Sequence, residues 1–389
     1  MPTPDTLLGG ISLEAFLETY WQKKPLLIRG AFPGFVSPVT PEELMDIACE
    51  EDADARLVLE RGGDYPWQLL HGPFEESFYD LPETHWTLLV QEVNRYVPAV
   101  ADLLDSFRFV PNWRLDDVMI SYATAQGGVG AHIDNYDVFL LQAQGHRRWE
   151  ITRGPVDDDT VQPDLDISIL EHFEAEEDWV LGPGDMLYLP PRVAHRGTAI
   201  NNCMTFSIGF RAPAYVDLIS GYIDQVADRF SPLDRYSDPD LRLPEHPGEI
   251  TPEVLGMVRS IIQQAVADPA SIDDWFGRYI TEPRRGNYAP APEDVHSPER
   301  VVHLLREGVS LRRSPSALFA FAHTDTGIRL YISGVAYPVD ALHAEAVYLL
   351  TGSLPLNHET LAPFLNQEAV QDLLTDLVNE GYLEFQDHV

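Results

Sequence analysis

A chain of 389 residues that is 44% hydrophobic and 23% charged has the composition of a folded protein and is long enough for two or three separate cores. Its 26 basic against 62 acidic residues give a formal charge of -36, a field that repels nucleic-acid phosphates and anionic lipid and attracts basic proteins, although the same surplus also serves solubility or a salty or hot habitat. No apolar run approaches the ~18 residues that cross a bilayer, residues 1–5 lack the basic region of a secretory signal, and Cys49 and Cys203 alone support neither a disulfide framework nor a zinc cluster, so a cytoplasmic protein with reduced thiols is expected.

An amphipathic helical pattern opens the chain over residues 12–23, with Ser12 as N-cap and Phe16, Tyr20 and Trp21 among its apolar positions. Residues 25–29 follow as a strand. From Val118 the pattern changes to short β-type runs punctuated by Gly and Pro, over 118–122, 132–142, 147–152, 179–181, 186–189 and 205–211. Many short strands with turns between them predict a double-sheet jelly roll or barrel. Between 215 and 288 the period becomes helical, with helices over 217–230, 251–266 and 272–280, the second started by Thr251 and Pro252. These helices carry no constellation of catalytic groups, which suits packing against the first domain or another subunit.

A proline-rich join at 288–293 leads to the last region. It reads as a helix near 298–306, paired strands at 318–322 and 328–332, helices near 341–350 and 367–380, and a strand at 382–385. That order resembles a winged helix. From Ser297 onward, however, five Arg and no Lys stand against twelve Asp and Glu, which favours a structural or protein-contact role over DNA binding. The chain therefore reads as an α+β protein in three parts, 1–213, 214–290 and 291–389.

The chemistry is concentrated in His132-Ile133-Asp134 and in His195, at the end of the run that begins at Gly182. Two imidazoles and a carboxylate can hold one face of an octahedral metal and leave the other open, the ligand set of non-heme Fe(II) oxygenases. The triplet alone is weak evidence, since 13 histidines in so acidic a chain give roughly one His-x-Asp by chance. A second copy, His323-Thr324-Asp325, falls at the tip of a predicted hairpin, where Asp325-Thr326-Gly327 is turn chemistry. His132 and Asp134 instead follow a glycine-rich lead-in at 127–130 and open a β-run, so both side chains are expected on one face of a strand. Pro190 and Pro191 stiffen the approach that delivers His195 after the apolar run 186–189.

Thirteen residues after Asp134, Arg147 is positioned to clamp a carboxylate through two parallel hydrogen bonds, as the distal end of 2-oxoglutarate requires. The equivalent spacing from the second copy falls on Pro338, which can clamp nothing. Strand parity places Asp117, Met119 and Ser121 on one face and adds Tyr136 to His132 and Asp134. An inward carboxylate beside apolar and aromatic walls suits a guanidinium, with Tyr136 stacking and Asp117 pairing; the bland alternative for Asp117 is a solvated strand-end carboxylate.

These segments, together with 20–25, 71–74, 208–213 and 273–276, resemble the JmjC-type ribosomal oxygenases over nearly the whole chain, above all the bacterial branch that hydroxylates an arginine in large-subunit ribosomal protein L-sixteen. The resemblance implies a JmjC/cupin double-stranded β-helix (jelly roll), then a helical dimerisation domain and a C-terminal winged-helix domain. It implies Fe(II) on His132, Asp134 and His195, 2-oxoglutarate on Arg147 and Ser121, and a substrate arginine approached by Asp117, Met119, Tyr136 and Ser207. Where many JmjC enzymes have lysine at the position of Arg147, arginine is similar to the bacterial ribosomal branch. The implied reaction consumes O2 and converts 2-oxoglutarate to succinate and CO2 while hydroxylating the arginine β-carbon. The implied partners are a basic ribosomal protein and a second copy of the chain, with no direct contact to nucleic acid or membrane. A JmjC histidine hydroxylase, a lysine demethylase and a non-catalytic acidic adaptor of ribosomal proteins are the alternatives.

Overall fold

The computed structural model describes residues 7–60, 67–75, 81–243, 245–283 and 286–386, so residues 1–5, read above for a targeting signal, lie outside the described residues. The chain divides into two compact units, one ending at Ala212 and the other beginning at Pro213.

The first unit opens on helix α1 (Leu13–Thr19), whose N-cap Ser12 accepts a hydrogen bond from the Ala15 N–H. Helix α2 (Pro41–Ile47) starts with a reciprocal capping box between Thr40 and Glu43. Among the described residues, eleven strands follow or interleave: β1 (Leu26–Ile28), β2 (Ala55–Glu60), β3 (Trp67–His71), β4 (Trp86–Val90), β5 (Leu115–Ala123), β6 (Val138–Gln144), β7 (Arg147–Pro155), β8 (Glu177–Leu181), β9 (Met186–Leu189), β10 (Val193–Ala199) and β11 (Cys203–Phe210). They form an antiparallel eight-stranded sheet in the order β1-β9-β6-β11-β5-β4-β2-β3 and a three-stranded sheet in the order β10-β7-β8.

Alternation along the central strands separates two cores. Val118, Ile120 and Tyr122 of β5, Phe139 and Leu141 of β6, Met186 and Tyr188 of β9, and Phe206 and Ile208 of β11 join Phe16 and Phe107 in the larger one. Their neighbours Val138, Leu140, Leu187 and Leu189 turn the other way and pack with Trp149 and Ile151 of β7. That second core lies between the sheets, and the functional side chains share its face. Register aligns them in rows: Met119, Ser207 and Leu140 are successive partners, as are Arg56, Leu89, Ser121 and Thr205.

Two local expectations need correction. Residues 132–137 are not strand; His132 makes an isolated β-bridge with His195, and regular pairing begins only at Val138. The Asp134 carbonyl accepts from the Arg192 N–H at 2.8 Å, and the Asp137 carboxylate is turned into the core, so this stretch takes its partners outside a ladder. His195 likewise belongs to β10, beyond the turn at Pro190-Pro191-Arg192, and not to the end of the run that forms β9.

In the second unit, helices α3 (Tyr215–Ala227), α4 (Pro252–Ala265) and α5 (Pro269–Thr281) match the helical stretch. Thr251 is the N-cap residue of α4, but its side chain makes no cap hydrogen bond. Tyr222, Val226 and Trp275 form a small cluster. Further on come α6 (Pro298–Arg306), β12 (Ser310–Arg313), β13 (Phe319–Thr324), β14 (Gly327–Ile332), β15 (Val335–Asp340), α7 (Ala344–Thr351), α8 (Glu368–Asn379) and β16 (Leu383–Gln386). Their apolar faces close around Leu305, Leu330, Leu350 and Leu374. The sequence pattern missed β12 and β15, both of which are short, half-exposed and carry Arg or Pro.

Candidate active site

His132 and His195 are brought together by the bridge itself, each backbone N–H donating to the other's carbonyl at 3.0 Å. The two rings lie 4.2 Å apart between centroids. Each Nδ1 faces a nearby carbonyl, that of Gly130 for His132 (3.2 Å) and that of Val193 for His195 (3.0 Å). With Nδ1–H engaged in this way, both imidazoles turn Nε2 and its lone pair outward, as metal-binding histidines do. Asp134 Oδ2 is 3.7 Å from His195 Nε2, and one ligand atom from each of the three residues lies within 4.8 Å of the others. Burial, and next the neighbouring His132, hold the His195 pKa down at about 4, so its imidazole is neutral and available as a ligand near neutral pH.

This donor set fits an Fe(II) with part of its coordination sphere open. Among the described residues it is the one cluster that could hold a metal. His323 and Asp325 are exposed at the β13–β14 hairpin, where Thr324 pairs with Gly327, so the second His-x-Asp copy is turn and strand end.

Arg147 enters from the three-stranded sheet. It is 3% exposed, and its Nη1 donates across to Ser121 Oγ on β5 at 3.2 Å, while Nη2 donates to the Gly197 carbonyl at 3.2 Å. Its guanidinium carbon stands 5.0 Å from the Trp149 ring centroid, and its Nε is buried without a partner. Burial lowers its pKa, yet an arginine stays charged. Among the described residues no carboxylate pairs with it, so a buried cation has room in its hydrogen-bond inventory for an anion brought from outside. Gly197 makes the approach possible: a Cβ there would come within 2.6 Å of Arg147 Nε and 2.7 Å of the Trp149 ring.

Of the remaining expected residues, Asp117 and Met119 lie on β5 and Ser207 on β11, whereas Tyr136 lies in the stretch that is not strand. Met119 and Ser207 are cross-strand partners, the second only 8% exposed. Asp117 is half-buried, and its Oδ2 accepts from the Glu92 N–H at 2.9 Å. Tyr136 keeps 42% of its surface exposed, and its hydroxyl pKa is raised by burial first and then by the Asp134 and Asp117 carboxylates.

Sequence reasoning missed Asp137. It is fully buried; Oδ1 accepts from the Tyr188 hydroxyl at 2.7 Å, and Oδ2 accepts from Gln22 Nε2 at 2.9 Å and Arg114 Nη2 at 3.0 Å. Burial and Asp137 push the Tyr188 hydroxyl well above its ordinary range, which keeps it a donor. The network pins the segment between the candidate metal ligands and β6. Its one local signal is a carboxylate immediately before an apolar run.

Residues 102–218 match the family described as JmjC domain, and residues 262–384 match the ROXA-like winged helix. The chain is 37% identical to the Escherichia coli ribosomal protein uL16 3-hydroxylase, over 95% of this chain and 97% of that protein. It is 32% identical to a probable ribosomal oxygenase of Haemophilus influenzae, over 95% and 94% of the two chains. The solved structure of Escherichia coli YcfD superposes with a TM-score of 0.84 at 36% identity, covering 96% of this chain and 98% of that one. A structure of the same ribosomal oxygenase in complex with cobalt and 2-oxoglutarate gives 0.81, at the same identity and coverage.

Proposed function

Because this chain belongs to the JmjC-type ribosomal oxygenases, we propose that it is an Fe(II)- and 2-oxoglutarate-dependent oxygenase that hydroxylates the β-carbon (C-3) of an arginine in large-subunit ribosomal protein L-sixteen. The observation that carries the reading is the buried Arg147, which meets Ser121 between the sheets and pairs with no carboxylate among the described residues. A dicarboxylate suits that position, with its distal end on Arg147 and Ser121 and its 2-oxo acid end toward His132, Asp134 and His195. Bound Fe(II) and 2-oxoglutarate supply, with O2, the oxidising power to turn an unactivated C–H into C–OH, succinate and CO2 being the other products.

The protein's own residues then have to position one C–H bond and keep it there. Asp117 offers a carboxylate to the substrate guanidinium, Tyr136 a ring face, and Met119 and Ser207 the floor beneath it. The acidic surface suits a basic ribosomal protein, in its free or nascent form more than in the assembled ribosome, whose RNA the charge repels. The parts 1–213, 214–290 and 291–389 serve catalysis, dimerisation and protein contact. The dimer role is supported by the apolar residues that α3 and α4 leave in water, among them Val216 (69% exposed), Ile219 (65%) and Ile262 (58%). Cytoplasmic location goes with such a substrate, and no described helix is long and apolar enough to cross a membrane.

Incubating the protein with Fe(II), 2-oxoglutarate and purified ribosomal proteins tests this directly. The expected result is a gain of about 16 Da on one arginine of L-sixteen, located at the β-carbon by fragmentation, with matching succinate. Neither modification nor succinate in any ribosomal protein overturns the enzyme reading, whereas oxidation of a histidine or loss of a methyl group reassigns the substrate.

A further inference from the structure

We propose that Arg56 and Gln91 are positioning residues that fix the Asp117 carboxylate for a guanidinium substrate. This inference rests on the substrate reading above. Register puts Arg56 in the row that runs through Leu89 to Ser121, on the face of the site, and Gln91 stands two residues after Leu89, just past the end of β4. Strand parity therefore brings both toward Asp117.

The hydrogen bonds form a directed chain. With the Gln91 amide oriented by its neighbours' donors and acceptors, Arg56 Nη2 donates to its oxygen at 2.7 Å and its nitrogen donates to Asp117 Oδ2 at 3.2 Å. The opposite amide orientation would set oxygen against carboxylate and NH2 against guanidinium, so chemistry allows one direction only. The Glu92 N–H donates to the same oxygen at 2.9 Å, and Glu92 has to adopt a left-handed φ of 51°. Two donors on one oxygen restrict the rotation of the carboxylate. A planar guanidinium is discriminating toward a carboxylate only when the plane of its partner is set, because its parallel N–H groups need both lone-pair directions aligned. A point-charge ammonium makes no such demand.

The relay thus acts on the selectivity and hold of the substrate, not on iron or 2-oxoglutarate. Gln91→Met, close to isosteric but without the dipole, should raise KM for a basic fragment of L-sixteen about tenfold and increase the succinate formed per hydroxylated arginine. It should leave the KM for 2-oxoglutarate and Fe(II) binding unchanged. Gln91→Glu, which sets a second carboxylate against Asp117, should do more harm, while Arg56→Lys should retain more activity than Arg56→Met. A fragment carrying lysine for the target arginine should compete relatively better against the Gln91→Met protein than against the parent. Thermal melting and Fe(II) titration of each variant verify that the fold and the metal site persist. Parent-like KM and coupling in both Gln91→Met and Arg56→Met, alongside a raised KM in Asp117→Ala, overturn the relay alone. If Asp117→Ala is silent as well, the substrate reading fails and the relay with it.

Discussion

His132 and His195 lie far apart in sequence yet exchange both of their backbone hydrogen bonds, at 3.0 Å in each direction, so the two imidazoles of the candidate metal site are held by the same bridge that joins their two segments. Each ring is then aimed by one further hydrogen bond, to the carbonyl two residues before it. The backbone bridge places both imidazoles, and the carbonyl contact at each Nδ1 orients its ring.

His132→Ala should therefore abolish Fe(II)-dependent stabilisation while leaving the bridge and the fold in place. His323→Ala, at the exposed second copy, should change neither. Melting temperature with and without excess Fe(II) under anaerobic conditions separates the two, since a ligand that binds only the folded state raises it by mass action. An equal loss of metal-dependent stabilisation in the His323→Ala protein would place iron elsewhere.

Gly197→Ala is a more demanding test of the cosubstrate site, because it touches neither charge nor hydrogen-bond donor. The added methyl would fall within 2.6 Å of Arg147 Nε and 2.7 Å of the Trp149 ring, both buried and hemmed in. Overpacking of this kind costs ~1–3 kcal/mol, and here the group that must move is the guanidinium. Affinity for 2-oxoglutarate should fall roughly ten- to hundredfold, with Fe(II) binding retained. Calorimetric titration in the presence of Fe(II) reads both quantities on one sample.

Asp137 predicts a stability effect that its neighbours Asp134 and Tyr136 do not share. Removing its carboxylate in Asp137→Ala leaves the fully buried Tyr188 hydroxyl without its acceptor and takes one acceptor each from Arg114 and Gln22. Breaking a buried ion pair from one side costs ~3–5 kcal/mol. For a domain of this size that corresponds to a fall in melting temperature of roughly 10 °C. Asp137→Asn, which keeps an acceptor oxygen, should recover part of it. Thermal unfolding of the metal-free proteins measures the difference.

The ease with which each of these features could be read depended on whether its partners were near in sequence. The parity of Asp117, Met119 and Ser121 follows from alternation within β5, and Arg147 meets Ser121 from the other sheet as its spacing suggests; His132 and Asp134 are read on one strand, whereas the structure joins them to His195 through an isolated bridge to β10. Strands β2, β3 and β4 are absent from that reading, although Trp86–Val90 is a short apolar run buried throughout. The break in strand character at 132–137 was not readable either, because it is imposed by Arg192 and by the partners of Asp137, which come from three other segments. Gly197 carries no pattern at all; its requirement arises only where β10 meets the rings of β7.

Electrostatic steering gives the last prediction, and it can be localised. The segment from Val156 to Glu176, between β7 and β8, contains eight carboxylates and no Lys or Arg. It is fastened beside the metal site, where the Leu170 N–H donates to the Ala131 carbonyl at 2.8 Å and Leu170 packs with Ala131 and Ala194. Asp164, Asp166, Glu171 and Glu174 all remain exposed to solvent there. A basic protein approaching His132 and Asp134 meets this field first, and at ~0.1 M salt it reaches about 10 Å. Turnover of L-sixteen at subsaturating concentration should therefore fall as salt rises, through KM and not kcat. Replacing those four carboxylates by their amides should reduce the low-salt rate and flatten the salt dependence, with unchanged 2-oxoglutarate affinity. If the amide variant keeps the parent's salt slope, the attraction comes from the remainder of the acidic surface and this segment has no special part in docking.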